Sequence, residues 1–468
     1  MDDFLREIQT SVFREWINNQ KRDYYHLHQS ETDPDAIIIE NEYCYSYVTF
    51  NPQCIIELCV MNKRTDEMAF YLHFQFKTLK HAISLFEEMD QCIKKMIDQP
   101  ICRLLLCCSG GMTTAFFADK IKNGIKVLNL NMEVAATSYQ KIYNVAQNYD
   151  VILLAPQVSY VKLQVEKVFK NKLVLKIPTQ IFASYNVGAL ITFVEESLKH
   201  KENKYNGYVE PLASMMEIKT NKNVLAVSIN ANGENSHISY RLYNSHQDIV
   251  LDSNIIKSNI KLQDVLDALD TVVLQNEMID VISIALPGVM VEGNVYSGII
   301  EGGNHQLKEC LEKRYEKEIY LINDVNAAVV GYYASQNEYK SLAFLFQPIG
   351  RMAGSGIVVN GQLVRGMDHL AGEVALLPLN LSDAYLTLAN TPEGTLELVT
   401  KNIMSIIAIV APEAIVVYSD LILDSQDVSD EIKKALSQYP LKVYPQIIKV
   451  ENILEYILLG AMILSAKE

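Results

Sequence analysis

The stretch Leu104-Leu-Leu-Cys-Cys-Ser-Gly-Gly-Met-Thr-Thr-Ala115 decides how the middle of this 468-residue chain is interpreted. An apolar run leads into a short turn with two glycines, and residues 112–122 then follow a helical pattern. Backbone N–H groups in such a turn converge on one point, and the dipole of the following helix adds positive potential there. The stretch therefore predicts a strand, an anion-binding loop and a helix, although a purely structural junction would also suit these residues.

Cys108 stands at the head of this loop, where the predicted strand ends. The loop amides and the helix dipole would stabilise a thiolate there, so we expect Cys108 to be a good nucleophile. The neighbouring Cys107 should face the core, because side chains alternate along a strand. A phosphoryl group on the Cys108 sulfur would be held by Ser109, Gly110, Gly111, Met112, Thr113 and Thr114.

The residues around the loop alternate between strand-like and helical patterns, which is typical of a parallel sheet covered by helices. Strand-like runs are predicted at residues 104–107, 127–130, 151–155 and 173–177. Residues 99–200 contain 11 Lys and Arg against 6 Asp and Glu, whereas the whole chain has 41 against 56 and a net charge of −15. We therefore expect a basic α/β domain over residues 99–200 between two acidic neighbours.

The stretch Cys108-Ser-Gly-Gly-Met-Thr-Thr114 resembles the phosphocysteine loop of enzyme IIB of the lactose/cellobiose class in the bacterial phosphotransferase system. The stretch from Tyr149 to Tyr160 resembles the third strand and following turn of the same family. The resemblance implies a four-stranded parallel sheet in which Cys108 accepts a phosphoryl group from a phosphohistidine of enzyme IIA. Ser109 to Thr114 would form the phosphate cradle, and Pro156, Gln157 and Tyr160 would lie beside it.

Residues 222–468 contain a second set of motifs. Asp324 lies at a predicted strand end where a helix begins, so it suits a general base for a substrate hydroxyl. Asn323 and Asp324 suit a helix N-cap equally well, and both interpretations stay open. The stretches that stand out are Ile284-Ala-Leu-Pro-Gly-Val-Met-Val-Glu-Gly293, Leu321-Ile-Asn-Asp324-Val-Asn-Ala-Ala328, Gly354-Ser-Gly-Ile-Val-Val-Asn-Gly361 and Ala371-Gly-Glu373.

Together these stretches resemble the ROK (repressor, open reading frame, kinase) family of sugar kinases and sugar-responsive repressors. The resemblance extends to Leu459-Gly-Ala461 in the last predicted helix. It implies an actin/hexokinase-like fold of two lobes with a cleft, and it makes a homodimer one expectation. Asp324 would deprotonate the sugar hydroxyl, while Asn304, Asn323 and Glu373 would bind sugar hydroxyls.

The nucleotide-binding elements depart from the family pattern. Ser228 stands where active members carry an Asp in the first phosphate loop, and Gly350-Arg-Met-Ala-Gly354 replaces the usual Gly-Thr-Gly-Ile-Gly of the second. The glycine pair that borders adenine is replaced near Tyr418-Ser-Asp420. Without positioned Mg·ATP, phosphoryl transfer has little to stabilise it, so we expect a sugar-binding pseudokinase. Arg351 is a candidate contact for a phosphorylated sugar.

No cofactor is assigned from the sequence. The zinc cysteines of the ROK family are absent, and Leu376 stands where its zinc-binding histidine would be. The eight cysteines include no CxxC pair, so they favour neither a zinc site nor a thioredoxin-like motif. ATP and Mg²⁺ are not expected to be positioned for catalysis.

Residues 1–98 predict a small α+β domain of unknown role, and residues 201–221 predict a polar linker. No stretch approaches the ~18 apolar residues of a membrane span, and the N-terminus lacks an apolar signal core, so we expect a cytoplasmic protein. The net charge of −15 argues against nucleic-acid binding. Three functions follow: a phosphotransferase-system sensor or regulator, an active ATP-dependent sugar kinase fused to a transport phosphocarrier, and a sugar-responsive transcriptional regulator.

Overall fold

The computed structural model describes residues 3–63, 67–98, 102–109, 112–128, 130, 132–169, 172–199, 221–232, 235–291, 294–367, 370–422, 424–437 and 444–467. Gly110 and Gly111 of the predicted phosphate loop lie outside these residues, as does the predicted linker except for its last residue. Within the described part of the chain, no helix combines the length and the apolar character needed to cross a bilayer.

The N-terminal segment is an antiparallel meander with one helix at each end. A single turn of 3-10 helix at Pro52–Cys54 joins the third and fourth strands into a hairpin. The short strand His26–Gln29 pairs with the second strand. The elements are α1 (Asp3–Asn18), β1 (His26–Gln29), β2 (Ala36–Glu40), β3 (Cys44–Asn51), β4 (Ile55–Asn62), β5 (Met68–Gln75) and α2 (Leu79–Asp98).

The middle domain is the predicted four-stranded parallel sheet, in the order β7-β6-β8-β9. The prediction of a strand at residues 127–130 is wrong, because the helix that begins at Met112 runs to Val127 and the next strand begins at Met132. A short apolar run fits the end of a helix as well as a strand. The elements are β6 (Cys102–Cys108), α3 (Met112–Val127), β7 (Met132–Ser138), α4 (Ile142–Val145), β8 (Val151–Leu154), α5 (Lys162–Val168), β9 (Leu173–Lys176), α6 (Thr179–Ser184) and α7 (Val187–Lys199).

The C-terminal unit has two lobes, and the first is built around three strands that are mostly buried, Val224–Asn232, Asn235–Tyr243 and Val281–Leu286. In its sheet β10 pairs with β11 and β13, and the strand order is β12-β11-β10-β13-β17. The elements are β10 (Val224–Asn232), β11 (Asn235–Tyr243), β12 (Ile249–Lys257), α8 (Leu262–Gln275), β13 (Val281–Leu286), β14 (Val289–Val291), β15 (Asn294–Tyr296), β16 (Asn304–His305), α9 (Leu307–Tyr315) and β17 (Glu318–Asn323).

The second lobe repeats this topology, with the strand order β20-β19-β18-β21-β22 and β18 in the centre. Two lobes with matching sheets confirm the expected actin/hexokinase-like architecture. The elements are α10 (Asp324–Ala334), β18 (Leu342–Phe346), β19 (Gly354–Val359), β20 (Gln362–Leu363), α11 (Tyr385–Leu388), α12 (Pro392–Val410), β21 (Ala414–Tyr418), α13 (Ser425–Ala435), β22 (Gln446–Lys449) and α14 (Leu454–Lys467).

The N-terminal sheet continues into the first lobe, which differs from the expectation of a separate domain. Strand β5 pairs antiparallel with β12, where Tyr71 lies opposite Ile256, so the combined sheet has ten strands. Lys77 and His81 contact the buried carboxylate of Asp267 in α8 at 2.6 and 2.9 Å. Because one apolar cluster also spans both segments, the N-terminal residues are an integral part of the first lobe.

Candidate functional sites

Cys108 lies at the carboxyl edge of the parallel sheet. Strand β6 is central, and it ends at Cys108, whose register partner in β7 is Ser138. The carboxyl edge is where open parallel sheets form ligand sites. The thiol is 5% exposed and lies 3.9 Å from the carbonyl oxygen of Thr137, while Ser109 is exposed to solvent.

The first turn of α3 faces the same edge. Met112, Thr113 and Thr114 form this turn, so their backbone N–H groups have no acceptor within the helix and are available to an anion. The structure thus brings Cys108 together with a helix N-terminus.

The turn after β8 is the second element beside Cys108. Ala155 donates its N–H to the carbonyl oxygen of Cys107 at 2.9 Å, which fixes the start of the 3-10 helix Pro156–Val161. Pro156, Gln157 and Tyr160 belong to that helix, and Tyr160 is 75% exposed. Cys107 points into the core as expected, and burial raises its pKa to about 12.

Asn323 is the N-cap of α10. Its side-chain oxygen accepts hydrogen bonds of 3.0 Å from the N–H groups of Val325 and Asn326, and its amide donates to the carbonyl oxygen of Gly288 at 3.5 Å. The N-cap interpretation therefore applies to Asn323, while Asp324 is the first helical residue. The Asn323 side chain joins the helix to the loop after β13.

Asp324 and Glu373 form an acidic pair in the cleft region. Asp324 is 7% exposed, and burial, together with the nearby Glu373 charge, raises its pKa to about 6. Burial also raises the pKa of Glu373. Glu373 is held by the hairpin that starts with β19, because Ser355 donates both its N–H and its hydroxyl to the carbonyl oxygen of Gly372 at 2.9 Å.

A cavity of about 790 Å³ opens where the two lobes meet. Its walls include Gly288 and Tyr296 from the first lobe and Arg351 from the second. Asn304 lies in β16 opposite Tyr296, so its backbone is part of the three-stranded sheet beside the cavity. Asn323 contacts the wall of this cavity through Gly288, whereas the acidic pair of Asp324 and Glu373 does not line it.

In the loop before β19, two backbone N–H groups donate hydrogen bonds to other parts of the chain. Gly350 donates its N–H to the carbonyl oxygen of Ala389 at 2.9 Å, and Ala353 donates to the Tyr385 hydroxyl at 3.1 Å. Tyr385 in turn donates to the buried Gln347 side chain at 2.8 Å. Gln347 and Tyr385 were missed by the sequence reasoning, since no local pattern links residues so far apart.

Ser228 stands where the ROK pattern has an aspartate in the first lobe, and its side chain is hydrogen-bonded within the protein. Ser228 is fully buried in β10, and its hydroxyl accepts a hydrogen bond of 3.3 Å from the side-chain amide of Asn230. Among the described residues, no group of three or more His, Cys, Asp and Glu side chains is placed to hold a metal ion.

Comparison with known families matches the two parts of the chain separately. The model of the phosphotransferase-system lactose/cellobiose-specific IIB subunit matches residues 103–192, and the model of the ROK family matches residues 233–394. The segment that matches the IIB model and the segment that matches the ROK model are called the IIB domain and the ROK domain below. In the described structure, the IIB match falls on the parallel sheet with Cys108, and the ROK match falls on the two lobes.

One curated relative and two solved structures are each similar to part of this chain. A xylose repressor of Caldicellulosiruptor bescii is 25% identical over 114 residues, which are 23% of this chain and 28% of the repressor, so the match spans under a third of that relative. A ROK hexokinase from Thermus thermophilus is 18% identical with a TM-score of 0.43, covering 52% of this chain and 99% of the hexokinase. A ROK family protein from Streptococcus pneumoniae in complex with sucrose is 18% identical with a TM-score of 0.40, covering 52% and 97%.

The IIB domain packs against the second ROK lobe. Leu421, just after β21, belongs to the apolar core of the IIB domain, and Ile349 of the loop before β19 packs against that core. At the edge of this contact the Tyr139 hydroxyl donates to the carboxylate of Glu393 at 3.1 Å. Burial and the Glu393 charge raise the pKa of Tyr139 to about 12.

Proposed function

We propose that this protein is a cytoplasmic sugar-responsive regulator of the phosphotransferase system. Cys108 accepts a phosphoryl group from an enzyme IIA donor, and the ROK cleft binds a sugar or sugar phosphate without transferring phosphate from ATP. The presence of a IIB and a ROK domain in one chain supports a role linked to this transport system. The hydrogen bonds within the loop before β19 are the observation that favours a regulator over an active kinase.

Phosphoryl acceptance is supported by the position of Cys108 at the sheet edge, opposite the first turn of α3. In the step, the Cys108 thiolate forms an S–P bond as the N–P bond of the donor phosphohistidine breaks, and the released imidazole nitrogen takes up one proton in place of the one that the thiol gave up. The free N–H groups of α3 and the exposed Ser109 then stabilise the added negative charge.

The absence of kinase activity is supported by two features of the ROK domain. A phosphate loop needs free backbone N–H groups, whereas Gly350 and Ala353 donate theirs to protein oxygens. Ser228 offers no carboxylate for a metal ion, and its hydroxyl accepts a hydrogen bond from Asn230. Arg351 lines the cavity where the lobes meet, and its guanidinium there suits a phosphorylated sugar.

Labelling with phosphoenolpyruvate tests the phosphoryl step. The protein is incubated with the general phosphotransferase components and an enzyme IIA, and the modified peptide is identified by mass spectrometry. We expect the phosphoryl group on Cys108, with labelling abolished in Cys108→Ser and retained in the matched variant Cys107→Ala. A label that persists in Cys108→Ser would contradict the assignment.

An active sugar kinase is the second candidate, because the pKa of Asp324, raised to about 6 by burial and Glu373, suits a general base near neutral pH. A panel of sugars with Mg·ATP separates the two functions. The regulator predicts sugar binding without ADP release. Turnover that is abolished by Asp324→Ala would establish the kinase instead.

A further inference from the structure

A second and larger cavity, here called the junction cavity, lies where all parts of the chain meet. Its volume is about 1120 Å³, and its walls come from the N-terminal segment, the IIB domain and both ROK lobes. That volume slightly exceeds the range of about 300–1,000 Å³ that is typical of small-molecule sites. Residues that mark its four sides are Lys95, Arg103, Asn259 and Tyr418.

The junction cavity is positively charged, although the chain carries a net charge of −15. Seven Lys and Arg side chains line it against four Asp and Glu: Lys95, Arg103, Lys167, Lys172, Lys257, Lys261 and Lys449 against Glu67, Glu88, Asp420 and Glu451. A cavity with low-dielectric walls concentrates the field of such charges. An anion is therefore attracted to it.

Part of this charge is neutralised by ion pairs within the protein. Lys257 and Lys261 share the carboxylate of Glu88 at 2.6 and 3.0 Å, and Lys449 contacts Glu451 at 2.5 Å. Lys257 also contacts Asp264 at 2.5 Å, so three carboxylates balance these three lysines and the pairs add no excess positive charge to the cavity.

Three other cations have no acidic partner among the described residues. Lys95 comes from α2, Arg103 from the start of β6 and Lys167 from the end of α5. Arg103 is half-buried, and leaving a guanidinium unpaired in such a place costs free energy unless an anion is bound. The three cations come from three separate elements, so they are not simply neighbouring charges on the solvated face of one helix.

The neutral lining suits the same ligand class. Ser258, Asn259 and Ser419 supply hydroxyl and amide donors, and Phe169 and Tyr418 add ring surfaces. Donors of this kind complete the hydrogen bonds of phosphoryl oxygens that cations alone leave unmet.

We propose that the junction cavity binds a small phosphorylated metabolite through Lys95, Arg103 and Lys167. The site is distinct from Cys108, which lies at the carboxyl end of β6, whereas Arg103 lies near the start of that strand. Lys95 lies in the N-terminal segment, which is joined to the first lobe, and the other two cations lie in the IIB domain. The ligand therefore bridges these two parts. Bound ligand therefore stabilises the docked position of the IIB domain.

Calorimetric titration of the full chain with inorganic pyrophosphate, at fixed ionic strength, tests this site. Each of Lys95→Gln, Arg103→Gln and Lys167→Gln should weaken binding by about tenfold, the effect of losing one charge-assisted hydrogen bond. Lys126→Gln, which removes an exposed lysine of α3 outside the cavity, should leave the affinity unchanged.

Two further variants separate this site from the others. Arg351→Gln and Ser109→Asp alter the ROK cavity and the Cys108 loop, and both should retain pyrophosphate affinity. The proposal is overturned if no binding is seen, if the three cavity variants bind as tightly as the unmodified chain, or if Lys126→Gln weakens binding equally. Loss of binding only in Arg351→Gln or Ser109→Asp would place the anion elsewhere and also overturn it, while leaving the labelling of Cys108 untouched.

Discussion

The hydroxyl of Tyr139 donates a 3.1 Å hydrogen bond to Glu393, and this contact joins the IIB domain to the second ROK lobe. Ser138 is the register partner of Cys108 in the parallel sheet, and Tyr139 is the next residue. Tyr139 therefore lies at the same edge of the sheet as Cys108. Glu393 lies in the first turn of α12, whose N-cap is Thr391. A change of charge at Cys108 is therefore introduced close to an interdomain hydrogen bond.

Tyr139→Phe should loosen the docking of the IIB domain without unfolding it. The lost hydrogen bond has a charged acceptor and contributes ~1.5 kcal/mol. Hydrogen exchange should accelerate in residues 391–395 and 139–148, with the remaining exchange pattern unchanged. Tyr160→Phe, which alters an exposed tyrosine of the same domain, is the control and should leave both segments as they are.

Gly460→Ala should destabilise the packing of α14 on α10. A Cβ atom at Gly460 would overlap the carbonyl oxygen of Ala327, so the two helices must move apart. We expect a loss of ~2 kcal/mol in the free energy of unfolding, as is typical of overpacked sites. Gly298→Ala is the matched control, because a Cβ there meets nothing within 4 Å. Urea denaturation that gives equal stabilities for both variants would contradict the packing described for these helices.

Asp324→Asn should stabilise the protein at neutral pH. The folded pKa of Asp324 is raised from 3.8 to about 6, so the native state binds the proton more tightly than the unfolded state. The charged form therefore costs stability above pH 6, by ~3 kcal/mol, and this cost disappears below about pH 4. Unfolding measured at several pH values should show the variant more stable at pH 8 and equal to the unmodified chain at pH 4. A constant difference across this range would mean that Asp324 is not the titrating group.

Asp267→Ala should unfold the N-terminal strands and the first lobe together. The carboxylate is buried and contacts Lys77 and His81, so its removal takes away these contacts and leaves Lys77 with Asp270 as its acidic partner, at a cost of ~2 kcal/mol. A single denaturation transition is expected, because both segments share one core. Glu309→Gln removes an exposed partner of Lys313 and should change nothing. A separate early transition confined to residues 3–98 would show that the N-terminal segment is an independent domain.

The sequence predicted the IIB fold well because its signals are local. Strands such as Val151–Leu154 are buried at every position, and the loop that begins at Cys108 has a distinctive composition. The end of α3 at Val127 was misplaced because a few apolar residues fit two structures equally well.

Other features depend on contacts between residues that are far apart in the chain. Tyr71 pairs with Ile256 in the joined sheet, and Tyr385 reaches Gln347 from another loop. No periodicity or local motif records such partners, so neither the ten-stranded sheet nor the occupied loop amides could be predicted. The grouping of Asp324 with Glu373, in contrast, followed from the ROK resemblance.

The proposed regulation links the phosphorylation state of Cys108 to the contacts of the ROK domain, and hydrogen exchange tests this link most directly. A phosphoryl group adds between −1.5 and −2 charges at neutral pH, close to the Tyr139–Glu393 contact. Exchange is compared between the phosphorylated protein and Cys108→Ser treated in the same way. We predict faster exchange in residues 391–395 only in the phosphorylated protein. Equal exchange in both, with the phosphoryl group confirmed on Cys108, would contradict the account.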